Sequence, residues 1–346
     1  MLDALGKELE LRKEEFAGET VATIYFGGGT PSVLDTEEIE LLVAKVYDFY
    51  KVVEHPEITL EANPDDLSEE KILQLAASPI NRLSIGVQSF FEEDLTLMNR
   101  AHNAAEAEQC LKLAKQHFDN ISIDLIYGMP NMSLERWQTN VDTAISYAIP
   151  HISSYALTVE PKTALANFVK KGLITPASDE EAQEHFDLLN TRLQASGYAC
   201  YELSNFAQPG FQSKNNSAYW QQKKYLGIGP SAHSFDGHRR GWNINNNPKY
   251  INAIGQGVLP MEVEELSTTD KYNEYIMTGL RTVWGVSLNR ITSEFGEKYT
   301  QYALLQADKY ITQHLLFLDG ETLKTTKKGL FLADGIASDL FLVNLK

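Results

Sequence analysis

The run Thr23-Ile24-Tyr25-Phe26-Gly27-Gly28-Gly29-Thr30-Pro31-Ser32 places three glycines directly behind an apolar, β-branched segment, Val21 to Phe26. That segment has the length and composition of a buried strand. Glycine at the carboxyl end of a strand lets backbone N–H groups approach a small polar ligand that a Cβ would hold off. A tight strand-to-helix turn needs one or two glycines, so three favour a ligand contact without naming the ligand. Further along, Glu61 ends the strand-like Ile58-Thr59-Leu60-Glu61-Ala62. It can accept from a ligand ammonium or ribose hydroxyl, or serve as a salt-bridged rim residue. Gln88 offers an amide that both donates and accepts. Arg100 has the fork that grips a carboxylate, though a single loop arginine also reads as a surface charge. Asp124 lies inside Ile123-Asp124-Leu125-Ile126, where an acid needs a partner; a ligand and a structural ion pair both remain open. Taken together, these residues suit a zwitterionic amino-acid or nucleoside ligand.

The elements that must position them alternate. Helical patterns at 2–15, 35–50, 68–77, 92–99, 104–117 and from Ser133 onward separate strand patterns at 21–26, 58–62, 82–87, 121–127 and 152–157. Alternation of this kind predicts a parallel sheet with crossover helices. Each of the first four strands ends in a polar or Gly/Pro cluster, and in parallel barrels and open α/β sheets the site forms where strands end. No reversal of the crossovers is suggested, so a barrel-type sheet is expected over a doubly wound one. Past residue 160 come a helix at 179–195, a strand-like Tyr198 to Phe206, and a Gly-, Asn- and aromatic-rich stretch from Pro209 to Asn247. Helices from about 268 then precede short strands at 315–318 and 322–325 and a helical 328–342. This layout predicts a barrel core over 1–160, an extension over 161–265 and a small, mainly helical, winged-helix-like domain over 266–346.

Composition narrows the class. The 346 residues carry 30 basic and 47 acidic side chains, a formal charge of −17. That balance argues against non-specific nucleic-acid binding, and no basic face is rich enough to hold phosphates. No run of eighteen or more apolar residues is present and the start lacks signal-peptide order. A cytoplasmic location without a transmembrane segment is expected. The two cysteines, Cys110 and Cys200, are too far apart in the chain to form a local thiolate cage.

Several motifs carry a family resemblance. Tyr-Phe-Gly-Gly-Gly-Thr-Pro-Ser, Glu-Ala-Asn-Pro, Arg-Leu-Ser-Ile-Gly-Val-Gln-Ser-Phe, Asn-Arg-Ala-His and Ile-Asp-Leu-Ile-Tyr-Gly-Met-Pro occur in order. They resemble the radical S-adenosylmethionine (SAM) proteins related to oxygen-independent coproporphyrinogen III oxidase. Residues 154–161, 225–235 and 239–243 look more like the heme chaperone HemW branch. The resemblance implies a partial (β/α)6 barrel lacking its first strand. It also implies that Gly28, Gly29 and Thr30 hold the methionine part of SAM, with Glu61, Gln88, Arg100, Asp124 and the backbone at Ala156 completing the site.

Two departures from the family pattern stand out. The family's Cys-x3-Cys-x2-Cys loop, which holds a [4Fe–4S] cluster, has no counterpart here, and the sequence is expected to begin just after it. Thiolates hold such clusters, so the chain as written is expected to bind no cluster and not to cleave SAM reductively. Asn215 stands where the HemW branch has the histidine of His-Asn-x-x-Tyr-Trp, and an amide is a poor iron ligand. Tyr219 and Trp220 remain candidate porphyrin contacts, or core aromatics under a loop. The implied role is a heme chaperone that passes heme to haemoproteins. The alternatives are the oxidase itself, acting through a 5′-deoxyadenosyl radical, and a degenerate barrel kept only for binding.

Overall fold

The computed structural model describes residues 1–160 and 163–343. The chain divides into two compact units. One comprises residues 23–40 and 55–213; the other gathers residues 1–22, 41–54 and the chain from 214 onward.

Most of the seven-stranded sheet belongs to the first of these. Its strands are β1 (Val21–Phe26), β2 (Val52–Ala62), β3 (Arg82–Gln88), β4 (Ile121–Tyr127), β5 (His151–Ala156), β6 (Ala199–Glu202) and β7 (Asn205–Ala207). They lie in the order β1-β2-β3-β4-β5-β7-β6. Strands β2 to β5 run parallel in chain order, and β7 and β6 then close the row antiparallel. The single strand expected over Tyr198 to Phe206 is therefore a tight hairpin. Glu202 makes the reversal: its carboxylate accepts from the Ser204 N–H at 3.0 Å and from Asn205 Nδ2 at 2.6 Å. Strand β2 begins at Val52, ahead of its apolar core, and the Asn81 side chain holds its middle, accepting from Ile58 N and donating to the Pro56 carbonyl.

Strand alternation gives the sheet two unlike faces. Leu60, Leu83, Ile85, Val87, Ile123, Leu125 and Ile152 are fully buried. Helices Glu69–Ala77, Ala104–Ala114 and Leu134–Ser146 present matching buried stripes through Leu75, Leu111 and Trp137. The other set of positions is polar: Thr59, Glu61, Arg82, Ser84, Ser122, Asp124, His151 and Ser153. Cross-strand register pairs Thr59 with Arg82, Glu61 with Ser84, Ser122 with His151, and Asp124 with Ser153. His151 bridges the Ser122 hydroxyl and the Tyr201 hydroxyl, each at 2.7 Å, and burial holds its pKa well below the ordinary imidazole value.

In the second unit, β8 (His233–Phe235), β9 (Arg239–Asn243) and β10 (Met261–Glu265) form an antiparallel sheet in the order β10-β9-β8. The Gly- and Asn-rich stretch is thus structured, as its composition suggested. After helix Thr268–Leu280 come β11 (Val286–Ser287), helices Leu288–Phe295 and Glu297–Thr312, then β12 (Leu316–Asp319) and β13 (Thr322–Thr325). These strands pair as β11-β13-β12 around a core that includes Tyr272, Ile276, Ile291, Leu316 and Leu323. The helical 328–342 is two short helices, Lys327–Leu330 and Ala333–Asp339, rather than one.

Candidate functional site

The site starts where β1 ends. Gly28 and Gly29 have φ of +81° and +69°, a conformation that glycine adopts without strain. Gly27 has a different reason to be glycine. A Cβ there would sit 2.4 Å from Tyr25 Cε1, so its absence lets the Tyr25 ring fold beneath the turn. The Tyr25 hydroxyl then donates to Glu61 Oε1 at 2.6 Å, while the Gly28 N–H donates to Glu61 Oε2 at 3.0 Å. Burial and the Glu61 charge push the Tyr25 pKa far above its ordinary value, so the phenol stays a donor. Beyond β2, Asp66 accepts from Ser32 Oγ at 2.7 Å and from Asn63 Nδ2 at 3.3 Å, joining the glycine turn to the strand end that carries Glu61.

Asp124 shares this field. Its carboxyl is pushed up to about 6, first by burial and then by the Glu61 charge, against a bond from Ser153 and the charges of Arg82 and Arg100. The structure therefore brings Gly28, Glu61, Asp124 and Arg100 into one electrostatic neighbourhood, with Tyr155 also feeling Asp124. Gln88 sits at φ +68° where the β3–β4 register shifts, and its Nε2 lies 2.8 Å from where a Cβ on residue 86 would stand. Gly86 thus makes room for the Gln88 side chain. Arg100 follows Asn99, whose φ of +52° turns the chain, and its N–H donates to the Leu95 carbonyl at 2.9 Å. Thr30 is exposed ahead of the turn at Pro31–Val33. Ala156 ends β5, exposed and in register with Tyr127. Among the described residues no side-chain bond joins Thr30, Gln88 or Ala156 to the Glu61 group. Sequence reasoning passed over Tyr25; its signal is an aromatic two positions before a glycine on the same side of a strand.

Neither cysteine suits cluster ligation. Cys110 is buried within its helix and burial pushes its thiol up to about 12; Cys200 is likewise pushed up to about 12, by burial and then by Glu202. A thiol held protonated is a poor metal ligand, and among the described residues no three His, Cys, Asp or Glu groups converge for a metal.

The candidate porphyrin contacts lie in the other unit, on helix Lys214–Trp220. Asn215 hydrogen-bonds the Tyr219 side chain. Tyr219 meets Tyr225 edge-on at 4.5 Å and lines a cavity of about 410 Å³ with Phe235, Arg240, Met277 and Phe341. Trp220 instead lies under the Arg281 guanidinium at 4.9 Å, so the two aromatic neighbours have separate surroundings. Residue 161, the last of the 154–161 motif, falls outside the described residues. No helix among the described residues is long and apolar enough to cross a membrane.

Comparison with known proteins agrees with this architecture. A radical SAM superfamily model matches residues 2–144 and a HemN C-terminal domain model matches residues 266–332. The heme chaperone HemW of Bacillus subtilis (strain 168) is 34% identical over 85% of this chain and 79% of its own. That of Lactococcus lactis subsp. lactis (strain IL1403) is 33% identical over 97% of this chain and 88% of its own. Coproporphyrinogen III oxidase (HemN) from Escherichia coli, described as a radical SAM enzyme, superposes with a TM-score of 0.82 at 23% identity, over 98% of this chain and 82% of that one. At that identity the likeness shows the fold: an α/β radical SAM-type sheet curled into a half-barrel, with a helical C-terminal region.

Proposed function

Because the chain belongs to the radical SAM superfamily, in its HemW branch, we propose that it binds S-adenosylmethionine at the carboxyl edge of its sheet and acts as a cytoplasmic heme chaperone. The observation that carries the first half is the acidic pair Glu61 and Asp124 beside the Gly28 turn, a constellation suited to a cationic, adenosylated amino acid. Gly28, Gly29 and Thr30 would receive the methionine part, with Gln88, Arg100 and the Ala156 backbone completing the hold. Bound SAM supplies an adenosyl group on a sulfonium; the chain's own residues bind and orient it. The cysteines do not fit a [4Fe–4S] cluster, so no radical step is assigned to this chain.

The heme half is supported by the relatives' role as heme chaperones and by the aromatic cavity at Tyr219. Heme would be received there and passed to haemoprotein acceptors, with Trp220 a less accessible contact because Arg281 covers its ring. We also read the sheet as part of a (β/α)6 barrel, with an extension over 161–265 and a winged-helix-like domain from 266 onward. The test is a pair of titrations on the full chain. SAM is expected to bind stoichiometrically in equilibrium dialysis, and hemin to give a saturable Soret shift that moves to an apo-haemoprotein on mixing. No saturable SAM binding would overturn the site, and no Soret change would overturn the chaperone role.

A further inference from the structure

The Glu61 carboxylate is oriented from two sides. Tyr25 donates to Oε1 at 2.6 Å and the Gly28 N–H to Oε2 at 3.0 Å. A carboxylate offers about four lone-pair sites, so acceptor capacity is left on both oxygens. The side chain is only half-buried, and that capacity can be met from outside. Among the described residues no lysine, arginine or histidine forms an ion pair with Glu61 or Asp124, and at Asp124 burial and the Glu61 charge outweigh the more distant charges of Arg82 and Arg100. Two neighbouring carboxylates of this kind favour a positively charged guest.

Tyr25 reaches Glu61 only because residue 27 lacks a side chain. A Cβ there would lie 2.4 Å from Tyr25 Cε1 and 3.0 Å from Glu61 Cδ. The φ of Gly27 is not in the left-handed region, so the requirement is for space and not for conformation. The first glycine of the run therefore serves the protein's own tyrosine, and the second and third shape the turn.

We propose that Tyr25 is a positioning residue: its hydroxyl fixes the Glu61 carboxylate so that the free lone pairs meet the ammonium of an adenosylated amino acid. The assignment rests on the SAM site proposed above and adds which group reads the amino-acid end. The experiment compares two probes on the full chain by equilibrium dialysis, SAM and 5′-methylthioadenosine, a neutral thioether that keeps the nucleoside but lacks the amino-acid end, ammonium and carboxylate together, and the sulfonium charge. Tyr25→Phe keeps the ring and removes the donor. It should weaken SAM about tenfold, a charge-assisted hydrogen bond's worth, and leave methylthioadenosine within about twofold. Gly27→Ala should give the same selective loss, and in a Tyr25→Ala background it should add much less than in the wild type, because the ring it displaces is gone and only the 3.0 Å approach to Glu61 Cδ remains. That double-mutant comparison decides the matter if Tyr25→Phe is poorly folded. Wild-type SAM affinity in Tyr25→Phe, equal weakening of both probes, or additive losses in the cycle would each overturn the assignment. If the wild-type chain binds no SAM, the site reading falls with it; if the wild-type chain binds and Tyr25→Phe is unchanged, this assignment falls alone.

Discussion

At Asp124, burial and the Glu61 charge together hold the carboxyl near 6 instead of 3.8, which gives two consequences with opposite signs. A cationic ligand favours the ionised acid, so SAM affinity should fall as pH drops through about 6, by up to about tenfold per pH unit for one linked proton. Asp124→Asn should flatten that profile; a pH-independent affinity in the wild type would count against the site. For folding the sign reverses. The folded pKa is raised above the unfolded one, so Asp124 contributes stability that is present below 3.8 and lost as pH rises through about 6. Asp124→Asn should therefore melt higher than the wild type at neutral pH, with the gain vanishing in acid, as thermal unfolding at several pH values would show. At this scale Gly28, Glu61 and Asp124 were legible because each is a polar or glycine residue in a place a buried strand does not explain. Tyr25 was not legible, since an aromatic next to a phenylalanine reads as core until a partner on another strand is seen.

Among the elements, the strands of the parallel row were read closely because apolar runs bounded by Gly, Pro and Asn leave little alternative. Strand β1 occupies Val21–Phe26 and β4 occupies Ile121–Tyr127, the segments expected from sequence. The hairpin of β6 and β7 was missed for a physical reason. Its turn contains no glycine or proline, and the reversal is made by a buried glutamate bonding forward along the chain. Local propensity does not register that kind of turn. Glu202→Ala should leave Asn205 Nδ2 and the Ser204 N–H without an acceptor, at a cost of about 2 kcal/mol. A urea midpoint shifted downward with an unchanged slope is the expected result. No shift would mean that the turn closes without the carboxylate.

For the molecule as a whole, the decisive residue lies in the first helix, Leu2–Leu11. Glu8 is fully buried. Its carboxylate accepts from the Gly229 N–H at 2.8 Å, Asn243 Nδ2 at 2.7 Å, Tyr250 Oη at 2.5 Å and Arg12 Nη1 at 3.2 Å. Arg12, also buried, goes on to the Gly227 carbonyl at 2.8 Å and to Ser234 Oγ at 3.1 Å. This one carboxylate ties the first helix to residues more than two hundred positions away, which is why the start of the chain groups with the segment from 214 and not with the strand that follows it. Amphipathic periodicity cannot reveal such a link, because a glutamate one position from Leu9 looks like the polar edge of a helix until its partners are known. The energetics separate two kinds of substitution. Glu8→Ala takes from the Arg12 guanidinium one of its two carboxylate partners, Glu15 remaining at 2.8 and 2.9 Å, and leaves three further donors unmet in the interior; removal of one partner of a buried pair costs about 3–5 kcal/mol. Replacing both members, as Glu8→Leu with Arg12→Met, removes the half-paired buried charge and should recover part of that loss, though the Gly229, Asn243 and Tyr250 donors stay unmet. The expected order of unfolding midpoints is therefore wild type, then the double variant, then Glu8→Ala, measured on the full chain in urea. A double variant no more stable than Glu8→Ala would show that the donors on residues 229, 243 and 250, and not the ion pair, hold the first helix in place.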